Sequence, residues 1–391
     1  MSNLPVELLH SIAAAVETTP ALLQLRLVSK TLNVVATPLA FRVITVNDSV
    51  KSADALSFLQ GSDGSVASAV REVRFEGDLE EEQWTGENET SGEAGRQALR
   101  AAFSRLAKFA NLERLRFDFH GFFQEDTQEI SNTPTHFLRL QLDIFAALAA
   151  GLPPPRLVSL TLNNVLAVPA AIYAQPAFHA FLSRLYTFEL SVLCEAEPEG
   201  AYLEMPLGEF FASSVAHMLR SVTAVRYLAL RSSSERGHPV GHCPVIPFGD
   251  TRLPHLAALT LEGFALQPAT REYDAAAFVV AHAATLAHLE LCGCTIDGGG
   301  AVHFPRPWGA VLALFEAELV GLRTFAFTAD PGGVDSGLRD PRFAYTWLEV
   351  DWGYLPMEEA VEGEEGDLPA LESLMAAVKA RALSDAGEDV E

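Results

Sequence analysis

Apolar residues return along this chain in a six-place pattern: apolar, two free places, apolar, one free place, apolar. It reads FRVITV from Phe41, VREVRF from Val70, LERLRF from Leu112, LVSLTL from Leu157, LYTFEL from Leu185, VRYLAL from Val225, LAALTL from Leu256, LAHLEL from Leu286, LRTFAF from Leu322 and YTWLEV from Tyr345. The last two apolar places are two residues apart, so on an extended strand they share one face. Leu, Phe, Val, Ile and Thr fill them, residues that suit a pleated surface. Between the copies the apolar spacing changes to three and four, which predicts helices over 98–110, 137–150, 207–222, 275–286 and 308–322. Pro and Gly clusters at Pro153–Pro155, Pro198–Gly200, Gly237–Pro239, Gly298–Gly300 and Pro331–Gly333 separate the elements.

Strands alternating with helices predict an α/β fold with a parallel sheet, either doubly wound or a curved solenoid. The recurring pattern favours the solenoid, because one repeat cannot bury its apolar face alone and stacked neighbours can. From Leu286 the segment LAHLELCGCTI reads L-x-x-L-x-L-x-x-C-x-I and resembles a cysteine-containing leucine-rich repeat. Cys294 is expected under a turn, satisfying backbone groups; the rival reading makes Cys292 and Cys294 metal ligands or a redox pair. Successive copies start 29, 42, 45, 28, 40, 31, 30, 36 and 23 residues apart. Most of these exceed the ~20–29 residues of regular repeats, so the arc is expected to be irregular, a curved parallel sheet inside and helices outside, with loops on its rim.

The chain ahead of the first copy is different. LPVELLHSIAAAV starts a helix at Leu4 with Asn3 as its cap, Pro20 opens a second helix, and Pro38 is expected to stop a third. Leu4, Pro5, Glu7, Leu8, Ile12, then Leu22, Leu25, Leu27, Val28, Ser29 and Lys30, then Pro38, Leu39, Phe41 and Arg42 resemble an F-box, and the RLVSKTLN and PLAFR pieces are similar to those of fungal F-box proteins. The chain differs from that pattern at Leu32, an aromatic place in many relatives, and at Ala13–Ala15, where bulkier residues are usual. The resemblance implies docking on a Skp-type adaptor and, through it, a cullin and a ubiquitin-transferring enzyme. Leu4, Pro5, Leu8, Ile12, Leu22, Leu25 and Val28 would then bind the adaptor. The simpler alternative is an apolar cap on the first repeat.

These readings divide the chain into an F-box over 1–40, a solenoid over 41–355 and an acidic C-terminal tail with a capping helix over 356–391. An F-box followed by leucine-rich repeats is similar to substrate receptors of SCF ubiquitin ligases. The concave strand face would take the target protein, with Arg114, Arg116, Tyr227, Arg231, His288 and Trp347 among its outward places. The arginines either read an acidic or phosphorylated segment or pair with acids on neighbouring strands. The second functional class is a leucine-rich-repeat scaffold unconnected with ubiquitin.

Charge narrows the partners. The 391 residues carry a formal net charge of −24, against a nucleic-acid surface, which depends on cations, and against anionic membranes. Eight acids and no Lys or Arg stand between Glu76 and Gly95, and eleven acids against Lys379 and Arg381 between Glu358 and Glu391. These are expected as a flexible acidic loop and a loose tail within which residues 368–383 form the helix. No apolar run reaches the ~18 residues of a span, and Glu7 and His10 interrupt the opening helix, unlike a signal peptide. Four cysteines are too few for a disulfide framework and suit a reducing compartment, cytoplasm or nucleus. No phosphate loop or G-x-S-x-G elbow is present. His238, His242 and Cys243 lack a fourth zinc ligand at typical spacing. No catalytic residue, metal or cofactor is expected; ubiquitin transfer would belong to the partner enzymes.

Overall fold

The structure, a computed structural model, describes residues 4–62, 64–77, 89–120, 136–193, 208–233, 246–249, 251–266, 274–297, 306–329, 340–349, 353–357 and 360–388. It is a mixed α/β protein. Contacts divide it into two compact units, Met1–His120 with Arg139–Thr161, and Gly121–Leu138 with Leu162–Glu391.

The first unit opens with α1 (Val6–Ala14), α2 (Thr19–Val28) and α3 (Lys30–Ala40). Thr18 and Ser29 cap the second and third, accepting from the amides of Ala21 and Leu32 at 3.4 and 3.1 Å. Pro5 stands just ahead of α1, and Asn3 lies outside the described residues. Pro38 does not stop α3, which runs on to Ala40. The carbonyl that a helical Pro leaves unbonded belongs to Val34, an exposed residue near the helix end where water can take over. Leu9, Ala13, Leu32 and Val35 form one small core, and Leu22, Ala36 and Ala40 a second. Arg26 ties α2 to α3: its Nε donates to Thr37 Oγ1 (2.9 Å) and Asn33 Oδ1 (3.1 Å), and its guanidinium lies 4.6 Å over the Phe41 ring.

The rest of this unit is strand and helix in turn: β1 (Val43–Asn47), α4 (Val50–Gly61), α5 (Ser65–Ala69), β2 (Glu72–Glu76), α6 (Glu89–Phe103), β3 (Arg114–Asp118) and, from Arg139 on, α7 (His136–Ala150). β1, β2 and β3 pair in parallel, with Val43 opposite Glu72 and Glu72 opposite Arg114. Helix α6 begins inside the stretch expected as an acidic loop. Glu93, one turn into it, pairs with Arg96, while residues 78–88 of that stretch lie outside the described residues.

β4 (Ser159–Leu166) follows, then α8 (Pro176–Leu182), β5 (Thr187–Leu193), a π-helical turn (Phe210–Val215) running into α9 (Ala216–Ser221), β6 (Tyr227–Ser233), β7 (Ala258–Glu262) and β8 (Ala265–Leu266). The second unit continues with α10 (Ala275–Val280), β9 (His288–Cys292), β10 (Thr295–Asp297), α11 (Trp308–Glu318), β11 (Thr324–Thr328), β12 (Ala344–Glu349), β13 (Gly353–Pro356) and α12 (Asp367–Glu388). Among the described residues, nine strands make one parallel sheet in the order β1-β2-β3-β4-β5-β6-β7-β9-β11, and four make a second, β13-β12-β10-β8.

The sequence pattern maps onto the large sheet place by place. The first apolar place is buried at Leu112, Leu157, Leu185, Val225, Leu256, Leu286 and Leu322. The two alternating places after it point the same way, as Leu115 with Phe117, Leu228 with Leu230, and Leu289 with Leu291 do. Seven strands of the large sheet, β2, β3, β4, β6, β7, β9 and β11, start on the same pair of bonds, two consecutive amides sharing one carbonyl just ahead of the neighbouring strand. Glu113 and Arg114 share the Arg71 carbonyl, Arg226 and Tyr227 that of Tyr186, Ala257 and Ala258 that of Arg226, and Ala287 and His288 that of Ala257. This uniform start holds register from strand to strand.

The tenth copy departs. YTWLEV forms β12, which belongs to the four-stranded sheet, parallel to β10 and antiparallel to β13. Helix α12 covers part of the C-terminal stretch expected as a loose tail. It buries Leu371, Leu374 and Val378, and Arg381 donates to the Leu319 and Glu316 carbonyls at 2.9 and 2.8 Å. At its start Asp367 accepts from the Tyr345 hydroxyl (2.6 Å) and the Gly309 amide (2.6 Å), while the Tyr345 oxygen accepts from the Trp308 amide (2.9 Å). Burial pushes the Tyr345 phenol and the Asp367 carboxyl above their ordinary ranges. The phenol therefore keeps the proton it donates.

Candidate functional site

Two kinds of surface stand out: the outer side of the N-terminal helices and, in each unit by itself, the outward side of the strands. The first is the outer side of the three N-terminal helices. Eight of the eighteen exposed large apolar side chains among the described residues lie between Leu4 and Val34, so exposure is concentrated here rather than scattered. Leu8 and Ile12 are 50 and 47 % exposed and one turn apart, on one face of α1. Leu4, Pro5 and Val6 precede them at the surface. Leu23, Leu27 and Val28 of α2 and Val34 of α3 are exposed as well.

Of the expected contact residues, Leu4, Pro5, Leu8, Ile12 and Val28 are exposed. Leu22 is not: it packs with Ala36 and Ala40 inside. Leu25 is half-buried between the two small cores. The reason is the helical period, which turns Leu22 and Leu25 towards α3 and leaves Leu23 and Leu27, four apart, outside. Sequence reasoning missed Val6, Leu23 and Val34. The two departures from the F-box pattern also change meaning, since Leu32 and Ala13 are core residues and Ala14 and Ala15 are at the surface.

The second surface is the outward side of the strands. Arg114, Arg116 and Arg231 lie there, each already paired. Arg114 Nε is 3.3 Å from Glu72, which Arg74 also holds at 2.5 Å. Glu72 is only 7 % exposed because both arginines cover its carboxylate. Arg116 pairs with Asp118 at 2.6 Å, and Arg231 sits between Glu189 (3.1 Å) and Glu262 (3.2 Å). Arg114 and Arg231 thus show the cross-strand pairing weighed against an acidic-segment reader, whereas Arg116 and Asp118 pair within β3.

In the second unit, Tyr227, Ala258, His288 and Thr324 stand opposite one another on β6, β7, β9 and β11. Tyr227 and His288 are exposed; Leu228 and Leu289 beside them are buried. Two residues along, Ala229, Thr260, Glu290 and Ala326 form the next row, where Thr260 Oγ1 donates to Glu290 at 3.1 Å. Trp347 is partly exposed, on β12 of the other sheet, and does not share this face.

Cys294 is 2 % exposed, and its thiol donates to the Leu261 carbonyl at 3.4 Å. Cys292 is half-buried, with Sγ 3.8 Å from the Ala329 carbonyl. Among the described residues no group of three or more His, Cys, Asp or Glu is placed to hold a metal ion. Cys194, His238, His242 and Cys243 lie outside the described residues. Among the described residues no helix is long and apolar enough to cross a membrane. No family model matches the chain, and no curated protein matches it.

Proposed function

We propose that this chain is a substrate-recognition subunit of an SCF-type ubiquitin ligase. Its three N-terminal helices are an F-box that docks on a Skp-type adaptor and through it on a cullin, and its strands are an irregular leucine-rich-repeat solenoid that captures a target protein. One observation carries the reading: Leu4, Leu8, Ile12, Leu27 and Val28 face outward from helices whose own small cores are complete without them. An exposed apolar concentration of this kind marks a surface that another protein covers. The repeat reading rests on the identical strand starts and on the buried Cys294 under its turn. Catalysis then belongs to the partner enzymes, and this chain contributes proximity and orientation. Cytoplasm or nucleus, where such ligases work, suits a chain with only four cysteines.

The test is capture of the chain by immobilised Skp-type adaptor, comparing wild type with Leu4→Ala/Leu8→Ala. Both side chains are exposed, so folding changes little, on the order of 0.5 kcal/mol. Loss of two interface anchors is expected to weaken binding about a hundredfold. Wild-type chain that is not captured at all would leave the leucine-rich scaffold, with no link to ubiquitin, as the account of the molecule.

A further inference from the structure

The row Tyr227, Ala258, His288 forms a slot. Strands in a sheet are about 4.8 Å apart, so the two rings, two strands apart, stand roughly 10 Å from each other. Ala258 between them has no side chain beyond Cβ, which leaves its place as a low floor between two walls. Tyr227 is 53 % exposed, with Ala229 two residues along the same strand, so small residues flank its ring on two sides. At the open end of the slot stands Glu290, one pleat from His288. Its carboxylate accepts from Thr260 Oγ1 and has no cation partner among the described residues. Glu189 and Glu262, by contrast, are taken by Arg231.

We infer that this slot binds an arginine side chain of a target protein. A guanidinium midway between the rings lies about 5 Å from each, inside the ~6 Å at which a cation is held by an aromatic face. Being planar, it can lie between two walls while its N–H fork reaches Glu290; the compact ammonium of lysine offers no such plane. A carboxylate already accepting a hydroxyl keeps acceptor sites for the fork. The net charge of −24 draws basic segments to the molecule. On the strand face of this unit Arg231 is held between Glu189 and Glu262, so this face favours a basic segment over a phosphorylated or acidic one. The role of the bound segment as a ligase target rests on the proposed function; the slot itself does not.

The experiment uses the full chain without the adaptor. Saturation-transfer NMR measures binding of the capped pentapeptide Ala-Ala-Arg-Ala-Ala, alongside versions carrying citrulline or lysine at the centre. The arginine peptide is expected to bind saturably and at least fivefold more tightly than either replacement. Tyr227→Ala and Glu290→Gln should each weaken it about fivefold or more, and Lys379→Ala, at an exposed place on α12, should leave it unchanged. All three side chains are exposed, and unchanged circular dichroism verifies folding. Equal binding of the lysine and arginine peptides, indifference to Tyr227→Ala, or no binding by the wild type overturns the slot. Adaptor capture is read separately on the same protein: a chain that binds the peptide but not the adaptor keeps the slot and loses the ligase role, and the reverse result overturns the slot alone.

Discussion

His282 is buried against Phe278, and both ring nitrogens are used. Nδ1 donates to the Phe278 carbonyl at 2.8 Å, and Nε2 accepts from the Leu253 amide at 3.0 Å. An acceptor nitrogen cannot carry a proton, so this arrangement requires the neutral ring. Burial, the largest influence, holds the imidazole below its ordinary value near 6.5. A histidine lowered in the folded state stabilises fully above its unfolded value, and that contribution is lost as pH falls through the folded one. Denaturant unfolding of wild type and His282→Phe, followed from about pH 7.5 to about pH 5, checks this. Phe leaves the Leu253 amide without its acceptor, a cost of about 1–3 kcal/mol near neutrality. The stability gap between the two proteins should narrow towards acid; a constant or widening gap contradicts the neutral-ring assignment.

At the scale of elements, one turn recurs where a strand leaves the large sheet. Gly263, Gly293 and Asn164 each follow the last inward Leu by two residues and have positive φ, at 73, 56 and 56°. The next residue, Phe264, Cys294 or Val165, is buried under the turn. After the two glycines the chain enters β8 and β10 of the second sheet. Gly263 is the tightest case: a Cβ there would stand 2.6 Å from the Ser232 carbonyl oxygen. Gly249 also has positive φ, yet nothing lies within 4 Å of its absent Cβ. Gly249→Ala should cost only the left-handed conformation, about 1–2 kcal/mol, and Gly263→Ala that plus a backbone collision of about 1–3 kcal/mol. Thermal unfolding of both variants decides it, and equal losses would contradict the collision.

This turn also marks how far the sequence could be read. The six-place pattern located ten of the thirteen described strands, all but the short β8, β10 and β13, because alternation is a local property that burial imposes. It could not say that Tyr345 and Trp347 pair with another sheet, since partner choice depends on Gly263 and Gly293 redirecting the chain. Helix α4 escaped notice because its buried side, Ala53, Leu56 and Gln60, is too sparse to register as a stripe. On the strand face the arginines were found and their partners left open; Glu72 is buried by contacts from two strands that no single segment contains. In the N-terminal helices, Leu8 and Ile12 were legible as a surface pair, whereas Leu22 needed the position of α3 to be placed inside.

For the molecule as a whole, the reading divides labour between its two surfaces. The N-terminal helices offer exposed aliphatic side chains and few charges, suited to an apolar partner. The strand face of the second unit offers rings and carboxylates, suited to a cationic one. Each should act without the other, so blocking one leaves the other intact.

The central claim is that the outer face of α1 to α3 is a docking surface for a Skp-type adaptor. Hydrogen–deuterium exchange of the full chain, with and without excess adaptor, tests it most directly. The amides of Val6–Ala14, Thr19–Val28 and Lys30–Ala40 should exchange more slowly in the complex, while those of the strands do not change. Unaltered exchange in these three helices with adaptor in excess, or protection confined to the strands, would contradict it.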